Sequence, residues 1–385
     1  MKVKIGIVTT FWSKNYGAAL QAFALQTFLE NNGYEVVFIN YQEKRIASKK
    51  VGNFAKLMTA IKEQRLLSFV NSVIIRIECG LWNRKYASYI EKRNRKFDDF
   101  TKNFLKIGPY CSKMIDIHEY YDDVHCFICG SDQIWNPLVY GYSDYHFLSF
   151  VSDKKKIAYA PSIAKNNLTF KECEQIVNKI KRLDYVSVRE SISVKELTNY
   201  DNSISIREVL DPTFLLTREI WRDQFRSSKT GCKYILVYLL SYNQYDKSVR
   251  KCINNIAKEF DLRVIELPFS EKIIGEDKHW EKRFDVSPAE FMELLLGSFL
   301  VITNSFHATV LSVINNKEFI VVEGKHKHET QSRIDNILDK FDLGNRYFSK
   351  YIEKKESINY EKVNEKLNNM VLLDAEWLLG AIKGE

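Results

Sequence analysis

The sequence contains little glycine and proline, with 15 and 6 of these residues among 385. Its hydrophobic fraction of 45% and aromatic fraction of 13% exclude a disordered, collagen-like or low-complexity chain, because such chains carry few large apolar residues. A single hydrophobic core rarely grows beyond about 250 to 300 residues. The length therefore predicts two globular domains, each with a core of its own.

Long apolar runs are also absent. No stretch reaches the roughly 18 uninterrupted apolar residues that are typical of a membrane-spanning helix, and the richest segment, residues 299–322, is interrupted by several polar residues. Residues 1–10 lack the basic segment and the long apolar segment of a secretory signal. We expect a soluble protein in the cytoplasm.

The seven cysteines are an odd number scattered through the chain, which predicts reduced thiols rather than a disulfide framework. Cys126 and Cys129 form a CxxC pair within the apolar run 124–129. A strand over this run would point the two side chains to opposite faces of a sheet. We therefore interpret them as buried thiols and predict no metal site.

The charge of the chain is only moderately positive, because 57 Lys and Arg residues face 49 Asp and Glu residues, a formal net charge of +8. Attraction to nucleic acid depends on the clustering of charge, and this bias is spread over the whole length. We predict no nucleic acid partner. Basic runs do occur at residues 44–50 and 154–156. Such runs are typical of a solvated face, but they also suit an anionic substrate or a phospholipid surface.

Short apolar runs alternate with helical patterns along most of the chain. Residues 4–10 and 34–40 read as buried strands, and residues 18–32 between them read as a helix that ends at Gly33. Two consecutive series of strands and helices imply two doubly wound parallel sheets. The further predicted strands are residues 124–129, 156–160, 184–188, 205–210, 234–240, 263–267, 299–303 and 319–322.

The predicted fold class is therefore α/β with two Rossmann-like domains. Asp211-Pro212 follows the last strand of the first series, and proline restricts the residue before it to extended conformations. We place the first domain at residues 1–212 and the second, with a C-terminal helix, at residues 213–385. Residues 53–106 carry helical patterns without a convincing strand, which predicts a helical insertion in the first domain.

The loops after the strands are the candidate binding segments, because ligands of doubly wound folds collect at the carboxyl ends of the strands. The first loop, residues 11–19, lacks both GxGxxG and the P-loop sequence, which argues against the usual nucleotide sites. Asn15, Tyr16 and Gly17 nevertheless stand at the start of a predicted helix, where free backbone amides favour an anion. An ordinary turn before a helix is the alternative.

The loop after the strand 124–129 is dense in hydrogen-bonding and aromatic side chains. It carries Ser131, Asp132, Gln133 and Trp135. Turn formation alone would explain the serine, but it would not explain the glutamine and the tryptophan. We therefore favour a substrate-binding loop over a simple turn.

Arg189 comes directly after the predicted strand 184–188. A guanidinium there keeps its charge and can hold a carboxylate or a phosphate through two parallel hydrogen bonds. A surface pair with Glu190 is the alternative. The position at the ligand edge favours anion binding.

Asn304, Ser305 and His307 follow the apolar strand 299–303 and open a predicted helix. An imidazole at this edge suits proton exchange near neutral pH. A histidine that is merely hydrogen-bonded in a packed turn is the alternative. We favour the chemical role.

The stretch 325–329 follows the strand 319–322 and concentrates four potential cations, among them Lys325 and Lys327. It completes no recognised spacing of metal ligands. We interpret it as an anion-binding segment, with a solvated basic loop as the alternative.

Four separated segments of the chain form a recognisable set. They are residues 15–18 with 20–22, residues 130–136, residues 187–190 with 210–213, and residues 303–308. Each segment is a weak signal alone. In this order and spacing they resemble the polysaccharide pyruvyl transferase family over nearly the full length of the chain.

The resemblance implies both a fold and a reaction. The fold is similar to that of the GT-B glycosyltransferases, with two Rossmann-like domains around a cleft. Characterised members transfer the pyruvyl group of phosphoenolpyruvate onto a sugar, usually as a ketal across two hydroxyls of a cell-surface glycan precursor. The expected partners are therefore phosphoenolpyruvate and a glycan or lipid-linked sugar, with no further cofactor and no metal.

The resemblance also implies roles for individual residues. Arg189 resembles the arginine that holds the donor, and His307 resembles the active-site histidine. A lysine beyond that histidine assists donor binding in the family, and Lys327 is preferred over Lys325 for this role. The other substrate-binding candidates are the polar and aromatic residues of the loops described above: Asn304, Ser305, Asn15, Tyr16, Gly17, Ser131, Asp132, Gln133 and Trp135.

Two other functions stay open. A glycosyltransferase of the same architecture would use a nucleotide-sugar donor, and a catalytically silent glycan-binding protein would bind sugars without turnover. The basic and aromatic insertion 53–106 suits either a lipid-linked sugar at the inner face of the membrane or a helical hairpin packed on the first sheet. A peripheral membrane contact is thus a further expectation.

Overall fold

The computed structural model describes residues 2–41, 80, 84–226, 233–240, 247–268, 279–323 and 329–385. In these ranges the strands form two parallel sheets and helices follow most strands, which confirms the predicted α/β class. The strands are β1 Lys4–Val8, β2 Glu35–Tyr41, β3 Ile107–Cys111, β4 Cys126–Cys129, β5 Lys155–Ala158, β6 Tyr185–Val188, β7 Arg207–Glu208, β8 Tyr234–Tyr238, β9 Arg263–Glu266, β10 Glu281–Lys282, β11 Leu300–Thr303 and β12 Glu318–Val321. The helices are α1 Tyr16–Asn31, α2 Ala87–Phe104, α3 Asp116–Tyr120, α4 Phe170–Ile180, α5 Ser191–Tyr200, α6 Arg218–Phe225, α7 Lys247–Glu259, α8 Pro288–Gly297, α9 Phe306–Ile314, α10 Glu329–Lys340, α11 Phe348–Tyr351 and α12 Tyr360–Lys383.

The first sheet has seven parallel strands in the order β3-β2-β1-β4-β5-β6-β7. The chain winds outward from β1 to β3 and then returns to the other side of β1, where β4 pairs with it. This change of direction creates a crevice outside the carboxyl ends of β1 and β4, which is the position where doubly wound folds bind ligands.

The second sheet has five parallel strands in the order β10-β9-β8-β11-β12. It repeats the winding of the first sheet, because β8 pairs with β9 on one side and with β11 on the other. Its crevice lies outside the carboxyl ends of β8 and β11.

The carboxyl edges of the two sheets face each other. Tyr16 begins α1 just after β1, and its ring stacks on Phe291 of α8 with a centroid distance of 4.6 Å. Gly17, the next residue, lies directly against the imidazole of His307 in the first turn of α9. The loops of both ligand edges therefore meet in one cleft.

The central strands are buried on both faces and read as continuous apolar runs, as expected for parallel sheets covered by helices. All four residues of β4 and all four of β11 are buried. Cys126 and Cys129 are free thiols in β4, and burial raises the pKa of Cys126 to about 12. The prediction of buried thiols at these two positions is confirmed.

Two edge strands were not predicted from the sequence. β3 contains Pro109 and an exposed Tyr110, and a proline is tolerated here because one side of an edge strand has no partner. β10 is only two residues long and consists of Glu281 and Lys282. Neither strand carries the apolar run by which buried strands are recognised.

Helix α2 lies within the predicted insertion 53–106 and packs against both halves of the molecule. Its Phe97 ring is 5.1 Å from the ring of Tyr16, and its Lys96 pairs with Glu290 of α8 at 2.7 Å. The helix therefore joins α1 to the second sheet. Residues 53–79 and 81–83 of the predicted insertion lie outside the described residues.

The last helix, α12, returns to the first sheet. The Lys155 ammonium donates to the carbonyl oxygen of Ile382 at 2.6 Å, and the Leu210 amide donates to the Asp374 carboxylate at 2.7 Å. The C-terminal helix was predicted as part of the second domain, but these contacts place it on the elements of the first sheet. The boundary at residue 212 stays a prediction.

Candidate active site

Three buried polar side chains meet at the facing ligand edges. Arg189 follows β6, Asp211 follows β7 and His307 lies in the first turn of α9. One oxygen of Asp211, Oδ2, is 2.7 Å from Nη1 of Arg189 and 3.5 Å from Nε2 of His307. The three residues are 2%, 0% and 7% exposed. The carboxylate thus lies between a cation of the first half and an imidazole of the second.

Asp211 is held in place by its own local structure. Its second oxygen, Oδ1, accepts from the backbone amide of Thr213 at 3.1 Å and from the hydroxyl of Thr213 at 2.8 Å. Burial by itself would raise the pKa of Asp211, but His307, Arg189 and these hydrogen bonds outweigh burial and hold the pKa well below its usual range. Asp211 is therefore an anion at every pH at which the protein would work.

Arg189 keeps one nitrogen free for a ligand. Its Nε is 3.4 Å from Oε1 of Glu190 and its Nη1 donates to Asp211, whereas its buried Nη2 has no hydrogen-bond partner among the described residues. The guanidinium lies over the ring of Phe306 at 4.2 Å. Burial disfavours its charge, but Asp211, Glu190 and Asp132 more than compensate and raise its pKa. The alternative of a surface pair with Glu190 is therefore replaced by a buried network.

His307 is fixed by contact with a glycine. A Cβ atom built on Gly17 would lie only 2.0 Å from Nδ1 of His307, so any larger residue would displace the imidazole. The residues before His307 shape its turn: the Asn304 side chain accepts from the Leu240 amide at 2.7 Å, and Ser305 caps α9 by accepting from the Ala308 amide. These contacts give Asn304 and Ser305 structural roles, while their predicted donor contacts stay untested.

The start of α1 is less open to an anion than predicted. The side chain of Asn15 caps the helix and accepts from the amides of Gly17 and Ala18 at 2.8 and 3.3 Å. Tyr16 is buried, and its hydroxyl donates to the Val286 carbonyl at 3.0 Å. These contacts give Tyr16 a packing role between the two halves, while its predicted substrate contact stays untested.

Ser131 joins the loop after β4 to the central carboxylate. Its hydroxyl lies 3.0 Å from Oδ2 of Asp211 and 2.8 Å from the carbonyl oxygen of Ala160. Its amide donates to the side chain of Gln21, which in turn donates to Thr9. Ser131 and Gln21 thus connect α1, β1 and β4 to the site, and the part played by Gln21 was not predicted.

The other predicted residues of this loop differ in their placement. Trp135 is fully buried, with its indole nitrogen donating to the His146 carbonyl at 3.1 Å and its ring stacked on Phe147. These contacts give it a packing role, and its predicted substrate contact stays untested. Gln133 accepts from the amide group of Asn136 within the loop. Asp132 is only partly buried. Its negative charge helps to raise the pKa of Arg189, so Asp132 lies near the guanidinium of the site.

The two lysine candidates for donor binding are not described by the structure. Lys325 and Lys327 fall outside the described residues. Of the arginines further along the chain, Arg346 is fully buried and donates from Nε to the Phe319 carbonyl at 3.1 Å, which gives it a structural role. Arg333 is buried beside Phe306, at 5.8 Å from the ring centre.

Asp211 is the main functional residue that sequence reasoning missed. In the sequence analysis it served as the residue before Pro212, a boundary signal, and as part of the segment 210–213, and it was given no role at the site. Its position directly after a strand was the available clue, because a carboxylate there stands at the ligand edge.

No metal site is formed by the described residues, since no group of three or more His, Cys, Asp or Glu side chains converges there. In the same part of the chain, no helix combines the length and the apolar character needed to cross a membrane.

Several solved structures have a similar fold. A protein from Listeria monocytogenes described as a UDP-N-acetylglucosamine 2-epimerase is 11% identical with a TM-score of 0.53, and the match covers 100% of this chain and 96% of that one. The UDP-GlcNAc 2-epimerase from Methanocaldococcus jannaschii is 13% identical with a TM-score of 0.49, covering 96% and 93%. The glycosyltransferase SnogD from Streptomyces nogalater is 11% identical with a TM-score of 0.45, covering 99% and 100%. At these identities, the first match shows only the fold, a two-domain GT-B-like arrangement, as predicted.

Sequence comparison identifies the family. No curated protein matches the chain by sequence. The sequence model of the polysaccharide pyruvyl transferases matches residues 15–326, a range that begins at the cap of α1 and includes Arg189, Asp211 and His307. The chain therefore belongs to the polysaccharide pyruvyl transferase family and is a transferase.

Proposed function

We propose that the protein transfers the pyruvyl group of phosphoenolpyruvate onto a sugar of a cell-surface polysaccharide or of its lipid-linked precursor, and that the product is a ketal. The observation that carries the proposal is the buried group of Arg189, Asp211 and His307 between the two ligand edges. This group suits an anionic donor that must be protonated. The cation can bind the anionic donor, the imidazole can transfer a proton, and the carboxylate holds both in place.

The donor is a small dianionic molecule, with a carboxylate and a phosphate on a three-carbon frame. Arg189 offers the hydrogen atoms of its free Nη2 to one of these groups. Because Nη1 and Nε already face Asp211 and Glu190, we expect a single strong hydrogen bond rather than the two parallel bonds expected from the sequence. Lys325 or Lys327 supplies the second cation in this proposal.

The reaction joins phosphoenolpyruvate and two sugar hydroxyls into a ketal and releases phosphate. The methylene carbon of the donor gains a proton, and the oxygen of one hydroxyl bonds to the adjacent carbon with loss of its own proton. The bond from that carbon to the phosphate oxygen breaks, and the second hydroxyl closes the ring with loss of its proton. The two protons that the hydroxyls lose balance the one gained by the methyl group and the one carried away by the released hydrogen phosphate. His307 is the residue suited to donate the first proton or to neutralise the leaving phosphate. Asp211 stays ionised, and its Oδ2 lies 3.5 Å from Nε2 of His307, where it can orient the ring.

Phosphate release from phosphoenolpyruvate in the presence of a panel of glycan acceptors tests this function. We expect release that depends on the acceptor, and a fall of about 100- to 10,000-fold in His307→Ala, the range for loss of a proton-transfer group. His118→Ala is the control, because His118 is exposed on α3. Equal activity of wild type and His307→Ala would contradict the role of the imidazole.

A nucleotide-sugar glycosyltransferase is the second candidate, since the GT-B-like fold is compatible with it. A ligand that prefers the folded state raises the melting temperature, so the two donors can be compared directly. We expect stabilisation by phosphoenolpyruvate. Stabilisation by nucleotide sugars alone, with their turnover, would favour the glycosyltransferase. Sugar binding that survives in both His307→Ala and Arg189→Ala, without turnover of any donor, would favour a silent glycan-binding protein.

The place of the reaction is also part of the proposal. A lipid-linked acceptor would bring the protein to the inner face of the membrane as a peripheral protein of the cytoplasm. Cosedimentation with vesicles that carry the lipid-linked acceptor tests this contact, with vesicles lacking the acceptor as the control.

A further inference from the structure

Helix α2 carries an arginine that differs from its basic neighbours. Lys92 pairs with Asp285, Lys96 pairs with Glu290 at 2.7 Å, and Arg95 lies 3.9 Å from Glu91. No carboxylate pairs with Arg93 in the part of the chain that the structure describes. The Nε atom of Arg93 is buried and donates no hydrogen bond to any of the same residues.

Arg93 lies on the side of α2 that faces the cleft. Phe97, one helical turn later, contacts the ring of Tyr16 at 5.1 Å. Burial raises the pKa values of Tyr16 and of Tyr238, and the charge of Arg93 opposes both rises, so the guanidinium lies close to both phenols. The rings of these two tyrosines are 5.5 Å apart.

The two tyrosines connect Arg93 to the site. Tyr16 directly precedes Gly17, which contacts His307. Tyr238 is the last residue of β8 and lies opposite Thr303, the last residue of β11, in the register of the sheet. Arg93 therefore stands at the same ligand edge as His307, and it approaches from an element other than the one that carries Arg189.

Among the described residues, Arg93 is a partly buried guanidinium without a partner, and such a group destabilises the unliganded protein. Desolvation of a charge is costly unless a partner compensates for it, and a buried donor without an acceptor adds to the cost. Arginine is also the side chain best suited to phosphate, because its planar group matches two phosphate oxygens. The missing partner of Arg93 is thus best supplied by an anionic ligand.

We propose that Arg93 binds a phosphate group in the cleft between the two halves of the molecule. The inference rests on the proposed function for the source of that phosphate. The source is either the phosphate of the donor or the phosphate that links an acceptor sugar to its carrier. Both have the same chemistry, and Arg93 would hold the group near His307.

Titration calorimetry with three probes tests this inference: inorganic pyrophosphate, phosphoenolpyruvate and a sugar 1-phosphate. We compare wild type, Arg93→Met and the matched control Arg95→Met, because Arg95 lies on the same helix and is exposed. We expect pyrophosphate to bind about 10- to 100-fold more weakly to Arg93→Met, the usual effect of losing a charge-assisted hydrogen bond. Arg95→Met should bind like wild type.

The other two probes distinguish the sources. A loss confined to phosphoenolpyruvate assigns Arg93 to the donor, and a loss confined to the sugar 1-phosphate assigns it to the acceptor. Unchanged binding of all three probes in Arg93→Met, or no binding of any probe to wild type, overturns the inference. Because pyrophosphate binding needs no turnover, this result is separate from success or failure of the pyruvyl transfer assay.

The melting temperature of the unliganded protein separates ligand binding from a structural role. A purely structural arginine would lower the melting temperature when replaced. We expect Arg93→Met to melt at the same temperature as wild type or higher, because the substitution removes an unpaired charge and keeps the length of the side chain. If Arg93→Met does not fold, Arg93 is structural and the inference is wrong. The melting temperature of Arg93→Lys, which keeps the charge, then confirms the structural role.

Discussion

Asp211→Asn is expected to lower the free energy of unfolding by about 3 to 5 kcal/mol, the usual cost of removing one partner from a buried ion pair. The fully buried carboxylate lies 2.7 Å from Nη1 of Arg189 and 3.5 Å from Nε2 of His307. In the variant, an amide faces these groups and the guanidinium stays charged without its counterion. We also expect loss of activity, because Arg189 and His307 both lose the carboxylate that lies between them.

The pH dependence of this effect follows from the direction of the pKa shift. The folded protein holds the pKa of Asp211 well below its ordinary value of 3.8. The contribution of the ionised carboxylate is therefore present above that value and is lost as the pH falls through the folded pKa. Urea unfolding should give the same difference between wild type and Asp211→Asn at pH 5 and pH 8, and a smaller one in stronger acid.

A surface carboxylate provides the control for this variant. Asp223 is exposed on α6, so Asp223→Asn should change the free energy of unfolding by less than about 0.5 kcal/mol. A similarly small effect of Asp211→Asn would show that Arg189 and His307 do not depend on the carboxylate between them.

Gly17→Ala is expected to lower kcat/KM by about 100-fold or more, because small displacements of a catalytic group have effects of this size. The added methyl carbon would lie 2.0 Å from Nδ1 of His307, far closer than any contact allows. Either the imidazole or the start of α1 must move. Both changes disturb the meeting point of the two halves, so we expect the rate to fall even where the variant still folds.

The control for Gly17→Ala is Gly344→Ala, since a Cβ atom at Gly344 meets nothing within 4 Å. We expect this variant to keep the steady-state rate of wild type in the phosphate release assay. If Gly17→Ala also kept that rate, the position of the His307 imidazole would not matter for the reaction, and its assignment would be wrong.

The parts of the fold that could be predicted are those with strong local patterns. The runs that became β1, β4 and β11 are mostly apolar because parallel strands are covered on both faces. The strand β3 was missed because an edge strand with Pro109 carries no such run. Position after a strand was likewise enough to single out Arg189 and His307.

The parts that could not be predicted depend on contacts between distant segments. Trp135 is an aromatic residue in a polar loop after a strand, which is typical of a binding residue. Only the packing of Phe147 and His146 around it shows that it belongs to the core. Asp211 gains its role from two partners on other elements, and Arg93 gains its position from the docking of α2 between the two halves. Local patterns carry no information about such long-range contacts.

The central claim is that this site joins a pyruvyl group from phosphoenolpyruvate to a sugar. Mass spectrometry of an acceptor glycan, after reaction with phosphoenolpyruvate in heavy water, tests that claim most directly. The account predicts an acceptor that carries a pyruvyl ketal with one deuterium in its methyl group, because the methylene carbon of the donor takes one proton from the solvent through the enzyme. An acceptor that instead gains a sugar from a nucleotide-sugar donor, and stays unmodified with phosphoenolpyruvate, would contradict it.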